Sequence, residues 1–325
     1  DARAPYYLGN LLYDWQPEEA ARLWKASAAL DPSFAVVHRN LATAYMHQPS
    51  GTDLDRSIAE LEKAGYTVAG YDIVEEKISS LIPLGLKPAK SPQEAAAGVE
   101  LILLSLRTWD IVREVMEGKN GVLAGARKGQ IIMDTSTVEP WESKAMAEKL
   151  AEKGIEWLDV PISGAASQVR VGDMVFMAGG KKSVFEQVKP ILDKIGKKTV
   201  YVGKNGDAAM LKLVVNCVLF LNMAAAIEGL SLGLKAGLDP DIMLDALVSG
   251  AAGSNLLEVR GKDMVKNNFE PKGKLGFKDA KLMLDSAERL QVMLPMMGLY
   301  KQLMLKAHYE GWGELDGTVV MKLYE

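Results

Sequence analysis

Lys212 and Asn216 stand four residues apart in the apolar run "GDAAMLKLVVNCVLF". On a helix that spacing puts both side chains on one face. An ammonium and a carboxamide on so apolar a helix need partners or a cavity, because neither tolerates burial unpaired. The same spacing also suits a lysine that extends to solvent near a helix start and an asparagine bonded to a neighbouring loop.

Other residues with usable chemistry sit at the ends of short apolar runs. Ser163 and Gly164 follow "IEWLDVP". A hydroxyl beside a backbone that a ligand can approach closely suits a carboxylate. A plain strand-to-loop turn favours the same two residues. Ser136 and Thr137 follow "QIIMD", at the strand end where ligands bind in open α/β sheets. Asp72 closes "YTVAGYD". An acidic residue there bonds a ribose 2′-hydroxyl and repels a 2′-phosphate, which favours NAD over NADP. Lys278, with Asp279 beside it, reads alone as a surface charge. Arg107, in "LLSLRTWD", sits where a cofactor would pass and reads equally as a contact or a surface charge. With three histidines and one cysteine, Cys217, the chain offers no His/Cys metal cluster and no internal disulfide.

Three textures must position these residues. Residues 1–63 read as wholly helical. Two segments there, beginning "YYLGNLLYDW" and "FAVVHRNLAT", share a layout, carried by Leu8, Gly9, Ala20, Trp24 and Pro32 in the first and by Leu41, Ala42, Tyr45 and Ile58 in the second. This resembles tetratricopeptide repeats, and it implies helices able to hold a protein partner. Packing of the same helices on the rest of the chain is the plainer alternative. Residues 64–203 alternate short apolar runs with helical stretches, which predicts a largely parallel sheet with helices on both faces. Residues 204–325 carry no strand pattern. One long helix is predicted over Ala208–Ala236, followed by several more. The expected fold is an α/β Rossmann-like domain joined by a long helix to an all-α domain.

The 325-residue length suits two or three domains, and a formal charge of -4 argues against a nucleic-acid surface. The first residues, "DARAPYYLGN", show no basic segment followed by an apolar run, so no signal peptide is expected. Met210–Gly237 is the most apolar stretch, but Lys212, Asn216, Asn222, Glu228 and Lys235 argue against a membrane span. A cytoplasmic location is the default expectation.

Five motifs occur in one order: "STVEP", "DVPISGA", "VFMAGG", "GDAAMLKLVVN" and "FKDAKLML". From about Ala64 onward the chain resembles the β-hydroxyacid dehydrogenases, typified by 3-hydroxyisobutyrate dehydrogenase. The resemblance implies a nicotinamide cofactor, a small carboxylate substrate and a helical domain used for dimerisation or tetramerisation. It makes Lys212 the general acid/base on the substrate hydroxyl and Asn216 a substrate-positioning residue. Burial beside a positively charged nicotinamide should lower the lysine's pKa toward the working pH. The resemblance assigns Ser163 and Gly164 to the substrate carboxylate. Thr137 and Lys278 fall near the nicotinamide end of the cofactor, with Ser136 adjoining. Relatives that prefer NADP carry Asn-Arg where Asp72 stands here.

One part of the pattern departs from the family. Where the phosphate turn would carry Gly-x-Gly-x-x-Gly, the chain has Pro49, Gly51 and Leu54. Pro49 lacks an N–H, and Leu54 would crowd helix–strand packing. The first strand and the glycine turn are therefore expected to be absent. Two functions stay open: a dehydrogenase of a short β-hydroxyacid, or a helical-repeat interaction protein on a cofactor-impaired dehydrogenase scaffold.

Overall fold

The computed structural model describes residues 67–164, 169, 172–270 and 276–325. The helical repeats, the partner surface expected on them, and the absence of a first strand and glycine turn all concern residues outside this set.

The described chain forms two compact units. The first holds the described residues up to Ser136 together with Pro140–Ala208. Its strands are β1 (Ala69–Gly70), β2 (Lys87–Pro88), β3 (Leu101–Leu104), β4 (Ile131–Asp134), β5 (Glu156–Asp159), β6 (Ile162–Ser163), β7 (Val175–Gly179) and β8 (Lys198–Gly203). β3, β4 and β5 run parallel and in register, with Leu104 opposite Asp134 and Asp134 opposite Asp159. Their carboxyl ends therefore finish on one line, and the residues that follow emerge at one edge. β7 pairs antiparallel with β5 and β6 and parallel with β8, so antiparallel pairings join the largely parallel sheet that alternation predicted. The run "YTVAGYD" yields only the two residues of β1, paired with β2 in a sheet of their own. Among the described residues β3 pairs with β4 alone.

Helical periodicity explains how the first unit closes. Helix α1 (Trp109–Glu117) is capped by Thr108, whose hydroxyl accepts the Ile111 N–H, and it buries Val112 and Met116 one turn apart. Helix α2 (Pro140–Ala151) buries Met146 and Leu150, and its Ser143 accepts a hydrogen bond from the Trp157 indole at 2.9 Å. Helix α3 (Lys182–Ile195) turns Val184, Phe185, Val188 and Leu192 onto Leu158, Phe176 and Ala178 of the sheet. β4 and β7 are buried on both faces, so their runs are continuously apolar rather than alternating.

Helix α4 (Asp207–Lys235) begins at the end of the first unit and runs into the second. Its start is tied to β5: Asp159 Oδ1 accepts the Gly206 N–H at 2.9 Å, and Asn205 Nδ2 donates to the Trp157 carbonyl at 2.8 Å. Gly206 has φ +90°, and a Cβ there would lie 2.6 Å from the Pro140 carbonyl oxygen, so only glycine fits.

The second unit holds Thr137–Glu139 and Ala209–Glu325. After α4 come α5 (Pro240–Ser249), α6 (Asn255–Val265), α7 (Phe277–Arg289), α8 (Pro295–Ala307) and a 3-10 segment, Gly317–Tyr324. Its core is built from Phe220, Met223, Ile227 and Leu230 of α4 with Leu256, Met264, Met283, Met297, Tyr300 and Val319. By length and a mean hydropathy of 2.0, α4 is apolar enough to cross a bilayer, so its scattered polar residues do not by themselves rule a span out. Here its inward residues are the core of the helical unit.

Candidate active site

The candidate site lies where the start of α7 meets α4. Lys212, Asn216 and Phe220 recur every four residues along α4 and form one stripe. Gly276 precedes α7, and a Cβ there would come within 2.3 Å of the Phe220 ring. Glycine thus lets the chain sit directly on that stripe. The next three residues are Phe277, Lys278 and Asp279.

Asn216 is 4% exposed, and its Nδ2 donates to Asp279 Oδ2 at 2.9 Å. Because a carboxylate only accepts, this bond sets which end of the amide faces Asp279. Lys278 Nζ donates to the Thr137 carbonyl at 2.7 Å. It also lies 3.0 Å from Asp279 Oδ1, but off the direction of a hydrogen bond, so that buried oxygen has an ion pair without an aligned donor.

Burial pushes the Lys212 ammonium below the ordinary lysine range, the Asp279 carboxylate pulls it partly back, and Lys278 adds to the lowering. A lysine in this setting can accept a proton as an amine and return it as an ammonium. The structure therefore gathers Lys212, Asn216, Thr137 and Lys278 in one unit, around Asp279. Sequence reasoning gave Asp279 no role. Its signal was an acid directly after Lys278, which spacing alone does not distinguish from surface charge.

The first unit carries the other expected residues. Ser163 ends β6 opposite Val175 and is half-buried. Gly164 follows, exposed and with φ +156°, a value L-residues rarely adopt. Ser136 is buried, and its Oγ accepts the Leu106 N–H at 2.9 Å while its own N–H donates to Asp134 Oδ1. This pins the chain leaving β3 to the chain leaving β4. Arg107 is exposed just beyond that pin. Asp72 lies two residues past β1; its Oδ1 accepts the Val74 N–H at 2.8 Å, and its Oδ2 pairs with Lys77 at 3.3 Å.

No group of three or more His, Cys, Asp or Glu able to hold a metal occurs among the described residues. A nicotinamide dinucleotide suits what is present. Three parallel strands end in register on one edge, and an acidic residue follows β1.

Comparison with known proteins places both halves. Residues 55–203 match the family described as the NAD binding domain of 6-phosphogluconate dehydrogenase. Residues 206–324 match that described as NAD-binding of NADP-dependent 3-hydroxyisobutyrate dehydrogenase. The chain is 33% identical over 268 residues to 2-(hydroxymethyl)glutarate dehydrogenase of Eubacterium barkeri, covering 82% of this chain and 89% of the relative. It is 34% identical over 247 residues to 2-hydroxy-3-oxopropionate reductase of Escherichia coli K12, covering 75% and 85%. The crystal structure of 3-hydroxyisobutyrate dehydrogenase from Salmonella typhimurium superposes with a TM-score of 0.74 at 26% identity, covering 82% of this chain and 94% of that one.

Proposed function

This chain belongs to the β-hydroxyacid dehydrogenase family typified by 3-hydroxyisobutyrate dehydrogenase, and from that premise we propose that it transfers a hydride between NAD and a short β-hydroxyacid or its semialdehyde. The family makes it an NAD(P)-dependent oxidoreductase acting on short hydroxyacids or semialdehydes. The choice of NAD, the 3-hydroxyisobutyrate-like substrate and the residue roles are our reading. The observation that carries it is the α4–α7 cluster of Lys212, Asn216, Lys278 and Asp279.

In this reading the neutral Lys212 amine takes the proton of the substrate hydroxyl as the carbonyl forms. In reduction the ammonium returns it to the carbonyl oxygen. The nicotinamide, when bound, accepts or supplies the hydride. Asn216 is held by Asp279 through one N–H, which orients its remaining amide groups toward substrate. Ser163 and the backbone at Gly164 hold the substrate carboxylate. Thr137 and Lys278 border the nicotinamide end with Ser136 adjoining in the chain, and Ser136 Oγ accepts the Leu106 N–H within its own unit. Asp72 takes the ribose 2′-hydroxyl. Its pair with Lys77 is largely exposed, so it offsets the carboxylate charge only in part.

A panel of short β-hydroxyacids assayed for NADH formation tests the reaction. Turnover with at least one is expected, and none with any member would end this reading. Asp72→Ala should narrow the gap between NAD and NADP. An unmodified chain that already prefers NADP would overturn the assignment of Asp72.

A further inference from the structure

Resting on the reading of Asn216 as a substrate-positioning residue, we propose that Gly276 and Phe220 are positioning residues, a steric key that sets how closely the start of α7 seats on α4 and so brings Asp279 onto Asn216. Phe220 lies four residues after Asn216 on α4, and Gly276 lies three residues before Asp279. The approach of Gly276 to Phe220 and the hydrogen bond from Asn216 to Asp279 are therefore neighbouring rungs of one antiparallel crossing. They stand about 4.5 Å apart along α7 and about 6 Å apart along α4.

Glycine is present at the first rung for room rather than for backbone freedom. Gly276 has φ -74°, outside the left-handed region, so its φ suits any residue. What excludes a side chain is the tip of the Phe220 ring. A Cβ at Gly276 would lie 2.3 Å from Cζ, 3.0 Å from Cε2 and 3.2 Å from Cε1. Unbonded carbons rest at about 3.5–4.0 Å, so roughly 1 Å of separation has to be found. The ring is poorly placed to supply it. Phe220 is 8% exposed and meets the Tyr300 ring, itself 2% exposed, edge-on at a centroid distance of 6.4 Å. A close-packed interior leaves few voids into which a ring can retreat. Gly276 for its part is tied to α7, since its carbonyl accepts the Ala280 N–H at 3.0 Å. An outward step of Gly276 carries the first turn of α7 with it, and Asp279 is in that turn. The Asn216–Asp279 bond is 2.9 Å long. Lengthened by roughly 1 Å, it passes out of hydrogen-bond range.

Crystal structures and kinetics of Gly276→Ala, Phe220→Leu and the two together test the key. Gly276→Ala should break the Asn216–Asp279 bond. Its kcat/KM for a β-hydroxyacid that the unmodified chain oxidises should fall about 10²-fold, the scale of loss for a misplacement near 1 Å. Leucine has no ring tip, so adding Phe220→Leu should restore the bond and recover most of the rate. A bond kept in Gly276→Ala overturns the proposal. So does a bond lost there and still missing in the double variant, or a bond lost without loss of rate. Rate losses that simply multiply across the two substitutions also overturn it, since the glycine and the ring then act separately. Should Gly276→Ala fail to fold, the double variant must fold, and failure of both overturns the proposal. Absence of turnover by the unmodified chain ends the dehydrogenase reading, while the bond lengths in the structures still decide the key.

Discussion

At the residue scale, the proposed site rests on a lysine whose pKa burial lowers. Lys212→Ala should lower turnover by roughly 10²–10⁴, the usual loss for a general acid/base, with the fold retained by circular dichroism. Near-normal turnover would remove Lys212 from the chemistry. The pH dependence follows from the same electrostatics. Oxidation of a hydroxyacid needs the neutral amine, so kcat/KM should rise with pH and level off above the Lys212 pKa, which lies below the free-lysine value of 10.5. Asp279 is the influence that raises that pKa. Asp279→Asn should therefore shift the midpoint to lower pH, while the amide oxygen so introduced can still accept from Asn216. A midpoint that stays put or moves up would mean that Asp279 does not set the proton affinity.

At the scale of elements, the C-terminal 3-10 segment hangs on one acid. Asp316 Oδ1 accepts the Thr318 N–H at 3.1 Å and the Thr318 hydroxyl at 2.8 Å, while Oδ2 pairs with Arg260 of α6. The two ion-paired side chains are 13% and 4% exposed. Removing one partner of so buried a pair strands the other charge, a cost of about 3–5 kcal/mol. Asp316→Ala should lose that much stability in urea unfolding of the intact chain. Asp316→Asn, which keeps an acceptor for Thr318, should lose less. Equal stability of all three chains would show the pair to be inconsequential. The burial of Tyr300 in the same core raises its phenol pKa well above the ordinary value, so Tyr300 stays neutral there throughout the accessible pH range.

For the whole molecule, the helical unit exposes more apolar surface than scattered residues would. Met293 is 89% exposed, and Leu290, Val292, Met296 and Leu299 are exposed with it around the α7–α8 turn. Val214, Val218 and Leu232 are exposed along α4. Apolar surface gathered in this way is commonly covered by another protein surface. We expect at least a dimer of this chain. Sedimentation at micromolar concentration checks it, and a monomer mass would count against it. The cofactor question also belongs at this scale, since no Gly-x-Gly-x-x-Gly occurs in the 325 residues. A calorimetric NADH titration measures how far the remaining groups suffice. Dissociation constants in the low micromolar range would show that the phosphates are held without that turn.

Local periodicity made much of this protein legible before any coordinates. The long unbroken apolar run announced α4, and the four-residue spacing put Lys212 and Asn216 on one face, because both facts depend only on neighbours along the chain. The apolar runs of β3, β4, β5, β7 and β8 were legible for the same reason, and the five ordered motifs pointed to the family that the comparisons support. What pairs with what was not legible. Asn216 meets Asp279 across 63 positions, and Lys278 meets Thr137 across 141. No local spacing encodes such contacts; they form only when the start of α7 meets α4 and the Thr137–Glu139 stretch. Strands are settled by partners in the same way. "YTVAGYD" has the composition of a full strand, yet only Ala69 and Gly70 find a ladder, on Lys87 and Pro88. β6 was invisible in sequence because its two residues become a strand only by lying antiparallel to β7. The sequence determined which side chains could act. The tertiary structure decided that Asp279 would hold one of them and tune another, since electrostatic influence depends on distance through space and on burial, neither of which is a property of chain position.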